Sequence, residues 1–85
     1  MKERYYNPMK VSYKDYGFTQ AHDMVLAAWV GDLDVMVSLG GGSLNRYKVH
    51  NVNREDKIFI LEDFVTKSHQ SVPFDAITYA RRILD

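Results

Sequence analysis

Residues 33–50 constrain the fold of this chain more than any other stretch. Leu33, Val35, Val37 and Leu39 alternate with Asp34, Met36 and Ser38, and Gly40-Gly41-Gly42-Ser43 follows. A second alternation then sets Tyr47 and Val49 against Arg46, Lys48 and His50. Period two, repeated on either side of a glycine turn, is the pattern of an antiparallel hairpin with one apolar and one polar face. The alternation predicts core-facing pairs Val37–Tyr47 and Val35–Val49, closed by a three-residue loop at Gly41, Gly42 and Ser43. A loop one residue longer would set Val37 against Arg46 and bury a charge. In this register Asp34 lies opposite His50, with Lys48 on the diagonal.

A hairpin with an apolar face needs a second layer to cover it. Residues 19–30 predict the helix that supplies it, because Ala21, Met24, Val25, Ala28 and Trp29 fall on one stripe. Thr19 is the expected cap, Gly31 the expected left-handed terminus, and Trp29 an expected core residue. Residues 51–56 read as a turn. Residues 57–61, apolar on both faces, read as a third strand. Residues 62–70 fit a loop or a helical turn equally. Pro73 suits the first turn of a closing helix over residues 74–84, with Phe74, Ile77, Ala80 and Leu84 facing the core. The expected architecture is therefore α+β: a three-stranded antiparallel meander packed by two helices, α-β-β-β-α. Met9, Val11 and Tyr13 alternate as an extra N-terminal edge strand. Residues 1–85 are expected to form one compact domain, with residues 1–17 a tyrosine-rich extended lead-in.

With 85 residues, surface scaling gives roughly 64% burial on folding, enough for one small core. The sequence has no cysteine, which removes disulfides, thiolate metal ligands and a cysteine nucleophile from consideration. A cysteine-free chain suits the cytoplasm. No apolar run approaches the ~20 residues of a membrane helix, and no membrane association is expected. Eleven basic and eleven acidic groups cancel, so no global field draws in nucleic acid.

Residues able to carry chemistry are few. His22, His50 and His69 match no local metal-binding spacing. An Asp34–His50 pair has no nucleophile beside it and reads as a cross-strand ion pair. Ser43 lacks the glycine that would follow it in a nucleophile elbow. The glycine run leads into a strand rather than the helix that a phosphate loop requires. No catalytic residue, metal or cofactor is expected. Double-stranded-RNA-binding domains also run helix, three strands, helix, but Asp75 stands where they carry lysines, so the order assigns no function.

Binding is what the composition favours. Tyr5, Tyr6, Tyr13 and Tyr16 lie among Lys2, Arg4, Lys10 and Lys14, and Met36, Arg46 and Lys48 share one strand face. Tyrosine, methionine and arginine are enriched at interface cores and hot spots. The expectation is a small non-enzymatic protein-binding module, acting as an adaptor, subunit or inhibitor. Its contacts would be Tyr5, Tyr6, Tyr13, Tyr16, Met36, Arg46 and Lys48, or a sheet edge, with a protein partner or a second copy in a homodimer. The second reading is nucleic-acid binding, with the N-terminal tyrosines stacking on bases and the lysines on phosphates.

Overall fold

The structure, a computed structural model, describes residues 12–83. One helix, α1 (Ala21–Val30), packs on one face of a five-stranded antiparallel sheet. The strands are β1 (Val35–Ser38), β2 (Asn45–Asn53), β3 (Ile58–Asp63), β4 (His69–Pro73) and β5 (Tyr79–Arg82), in the spatial order β4-β3-β2-β1-β5. The expected two-helix, three-stranded α-β-β-β-α arrangement is therefore corrected on both counts.

The closing helix is where the expectation fails. Pro73 does precede a helical turn, but that turn is a 3-10 segment, Phe74–Ala76, which ends at Ile77 in extended conformation. Isoleucine, threonine and tyrosine at 77–79 lose side-chain freedom in a helix and suit a strand. The chain instead adds β5 to the free side of β1, with Val37 opposite Ala80 and Met36 opposite Arg81. Thr78 N–H donates to the Ser38 carbonyl (3.0 Å) and Ile83 N–H to the Asp34 carbonyl (3.0 Å), so the ladder is anchored at both ends. The open stretch 62–70 divides into the end of β3, a turn and the start of β4. Of the expected N-terminal edge strand, Met9 and Val11 lie outside the described residues. Ser12 forms an isolated antiparallel bridge with Arg81.

The hairpin forms in a register two residues away from the expected one. Val35 faces Tyr47, Met36 faces Arg46 and Val37 faces Asn45. A shift of two preserves every residue's face, so the hydrophobic alternation cannot distinguish the two registers. The longer connection uses the glycines: Gly40 and Gly42 sit at φ +99° and +81°, values that other residues adopt only with strain.

Helix α1 buries Ala21, Met24, Val25 and Ala28. Trp29, expected in the core, is 37% exposed. The cap residue is Gln20, with no side-chain hydrogen bond, in place of the expected Thr19. At the other end Gly31 is right-handed, and Asp32 takes the left-handed position at φ 55°. Leu33 N–H then donates to the Ala28 carbonyl and Asp32 N–H to the Trp29 carbonyl, the paired bonds of a Schellman ending. Beneath the helix, Val35, Val37, Tyr47, Val49, Phe59, Leu61, Val72 and Ala80 form the buried side of the sheet. Phe74 closes its end, stacking on Phe59 at 4.3 Å and on His22 at 5.0 Å between ring centroids.

Candidate functional site: the outer face of the sheet

No described helix or strand packs over the opposite face of the sheet. Its residues line up in rows across the strands. In the first row Met36 stands between Arg81 on β5 and Arg46 on β2. The row continues to Phe64, whose N–H donates to the Arg46 carbonyl and whose ring lies 4.1 Å from the Arg46 guanidinium carbon. Lys67 approaches the same ring at 5.0 Å. Arg46 also reaches Asp34, through Nε (2.8 Å) and Nη2 (2.7 Å) to one carboxylate oxygen. The expected Asp34–His50 pair does not form, because the register shift brings Arg46 within reach of the carboxylate. Met36, Arg46 and Arg81 are half-buried, and Phe64 is 44% exposed. Arg81 Nε is buried with no hydrogen-bond partner among the described residues.

The second row runs Lys48, Glu62, His69. A β-bulge between Val49 and Asn51 adds His50 to it. Lys48 faces Glu62 and Asn51 faces Ile60, so residues three apart on β2 share a face, and the odd residue is absorbed at the bulge. His50 thereby comes over the start of β4. Its ring centroid is 4.3 Å from that of His69, with the planes at 32°. His69 Nε2–H donates to Glu62 Oε1 at 3.0 Å. That hydrogen bond holds the Glu62 carboxyl below its ordinary value, and the positive charges of His69, Lys67 and His50 act in the same direction against some desolvation. Each donor atom of His50, Glu62 and His69 lies within 4.8 Å of the others. No local spacing in the sequence marks this trio. The signal was distributed over three strands and one bulge.

Asp63, at the end of β3, closes the β3–β4 turn. Its Oδ1 accepts from the N–H groups of Thr66 (2.9 Å) and Val65 (2.8 Å), and these backbone bonds lower its pKa. Asn53 closes the β2–β3 turn in the same manner, accepting from Asp56 N–H at 3.0 Å. Each turn ends in a lysine at positive φ, Lys57 and Lys67.

The residues singled out from sequence thus fall into separate places. Met36, Arg46 and Lys48 share the outer face. Tyr13 and Tyr16 lie beside β5 instead: Tyr13 meets Tyr79 edge-on at 6.0 Å, and Tyr16 stacks on Phe18 and receives a hydrogen bond from Arg82. Tyr5 and Tyr6 lie outside the described residues. No cavity opens among the described residues, and no helix there is long and apolar enough to cross a membrane. Neither protein-family models, nor curated proteins, nor solved structures gave any match to this chain.

Proposed function

We propose that this chain is a non-enzymatic protein-binding module, an adaptor, subunit or small inhibitor, that seats an acidic segment of a partner protein on its outer sheet face. The observation that carries the reading is the row Arg81–Met36–Arg46–Phe64. It combines a flexible apolar anchor, an aromatic ring and two guanidiniums on a face that no described helix or strand covers, and these are residue types enriched at interfaces. On the face as a whole, Arg46, Lys48 and Arg81 outnumber Asp34 and Glu62, which favours a partner of opposite charge. A cytoplasmic setting belongs to the same proposal, since the chain has no cysteine to protect or to pair.

Peptide display against the immobilised full chain tests this reading. The expected winners are acidic peptides with one apolar anchor. Met36→Asp and Arg46→Ala should each weaken them by about tenfold or more. Val30→Ser, at the exposed end of α1, should leave them unchanged. Winners that ignore Met36→Asp would overturn the proposal. Capture of single-stranded oligonucleotides instead, with a steep salt dependence removed by Lys14→Glu, would put nucleic-acid binding in its place.

A further inference from the structure

The geometry points to a divalent transition-metal site on the outer face, built from His50, Glu62 and His69 and of the class that takes zinc. The site does not depend on the protein-binding proposal, because it uses the second row of the face rather than the first.

Its three donors come from three neighbouring strands whose ladder bonds fix their spacing: His50 from the bulge of β2, Glu62 from β3 and His69 from the first position of β4. A zinc ion bound at about 2.0–2.2 Å requires its ligand atoms to stand roughly 3–3.5 Å apart. Glu62 and His69 already meet that spacing at 3.0 Å. The whole set lies within 4.8 Å, so side-chain rotation by exposed His50 and His69 can close it without moving a strand.

The donor chemistry is selective. Two imidazole nitrogens and one carboxylate oxygen make a borderline set suited to zinc and its first-row neighbours, whereas calcium and magnesium prefer oxygen alone. An ordinary surface ion pair accounts for only part of the arrangement. Glu62 and His69 form such a pair, but the His50 ring makes no hydrogen bond among the described residues and lies against a second imidazole at 4.3 Å. A metal ion between the two rings would give both imidazoles one common partner. Three protein ligands would leave further coordination positions open to solvent, as in zinc sites that accept water or an incoming group. Lys48 opposite Glu62 and Lys67 nearby oppose a cation, so the expected affinity is micromolar rather than that of a structural zinc site.

Calorimetric titration of the full chain with zinc at about pH 7.5 should give one ion per chain at roughly micromolar affinity, and magnesium under the same conditions should give no binding. His50→Ala and His69→Ala should each cost about tenfold or more, and Glu62→Gln a similar amount, while His22→Ala should cost nothing. Imidazole proton resonances of the unaltered chain give a readout that needs no variant: those of His50 and His69 should move with zinc and those of His22 should not. Zinc binding that survives the His50→Ala/His69→Ala double variant would overturn the assignment. So would a titration in which neither imidazole responds.

Discussion

Along β2 and β3, neighbouring residues belong to different worlds. Towards α1 the two strands contribute Tyr47, Val49, Phe59 and Leu61, all buried. One position along, on the outer side, stand Arg46, Lys48, Ile60 and Glu62, none of them fully buried. The backbone hydrogen bonds are common to both faces, so the difference lies in the side chains and in what covers them. The helix side excludes water and carries the hydrophobic stabilisation. The outer side contributes less to holding the fold, and its exposed positions carry cations and imidazoles that water still solvates. Among the described residues α1 covers one face of the sheet, and no helix or strand covers the other.

The largest effect should come from the covered side. Phe59 is fully buried and stacks on Phe74, and Phe59→Ala should cost about 3–5 kcal/mol. For a domain this small, that is most of the stability available. Ile60→Ala, one residue along and half-buried, should cost under about 2 kcal/mol. Urea denaturation of the pair measures the asymmetry directly. Equal losses would break it, because they would mean that the outer face is packed as tightly as the inner one.

The same asymmetry explains what could be read from sequence. The inward residues Val35, Val37, Tyr47 and Val49 follow from alternation, and Ala21, Met24, Val25 and Ala28 from helical spacing. Both patterns exist because water is excluded from one side. The hairpin register was not legible, since a two-residue slip leaves every inward residue inward. The last strand was missed for a related reason. Phe74, Ile77 and Ala80 satisfy a helical spacing, yet the unpaired side of β1 offered residues 79–82 a ladder that no local pattern records. The outer face was half legible. Met36, Arg46 and Lys48 were placed together by period two, but His50, Glu62 and His69 meet through a bulge and two separate pairings.

Acid should act through two carboxylates at the end of β3, Glu62 on the outer face and Asp63, which is paired with Tyr47 on the other side. Hydrogen bonding by His69 depresses the pKa of Glu62 in the folded state, and the backbone N–H groups of Thr66 and Val65 depress that of Asp63. A carboxylate depressed on folding contributes stability above its unfolded pKa and loses it as pH falls through the lower folded value. Thermal melts should therefore begin to fall below about pH 4, the ordinary carboxylate range. Glu62→Gln should flatten part of that fall, and Asp63→Asn another part, leaving a turn closed as Asn53 closes its own. If both variants kept the full acid sensitivity of the parent chain, the titrating groups would lie elsewhere.

The smallest expected change is also the most local test of the two faces. Lys48 and Val49 are adjacent on β2, the first exposed and the second 6% exposed. Lys48→Ala removes a long solvated side chain and a cross-strand charge opposite Glu62, a contact whose type is worth a few tenths of a kcal/mol up to about 1. Its loss is offset in part by the side-chain entropy released. The net change should stay within about 0.5 kcal/mol. Val49→Ala removes two buried methyl groups and should cost about 2 kcal/mol. Two denaturation curves on neighbouring substitutions thus ask whether one pleat separates a packed side from a solvated one. A Lys48→Ala loss as large as that of Val49→Ala would show that the outer row helps to hold the sheet, and a face that holds the sheet is not free to be given over to a partner or a metal.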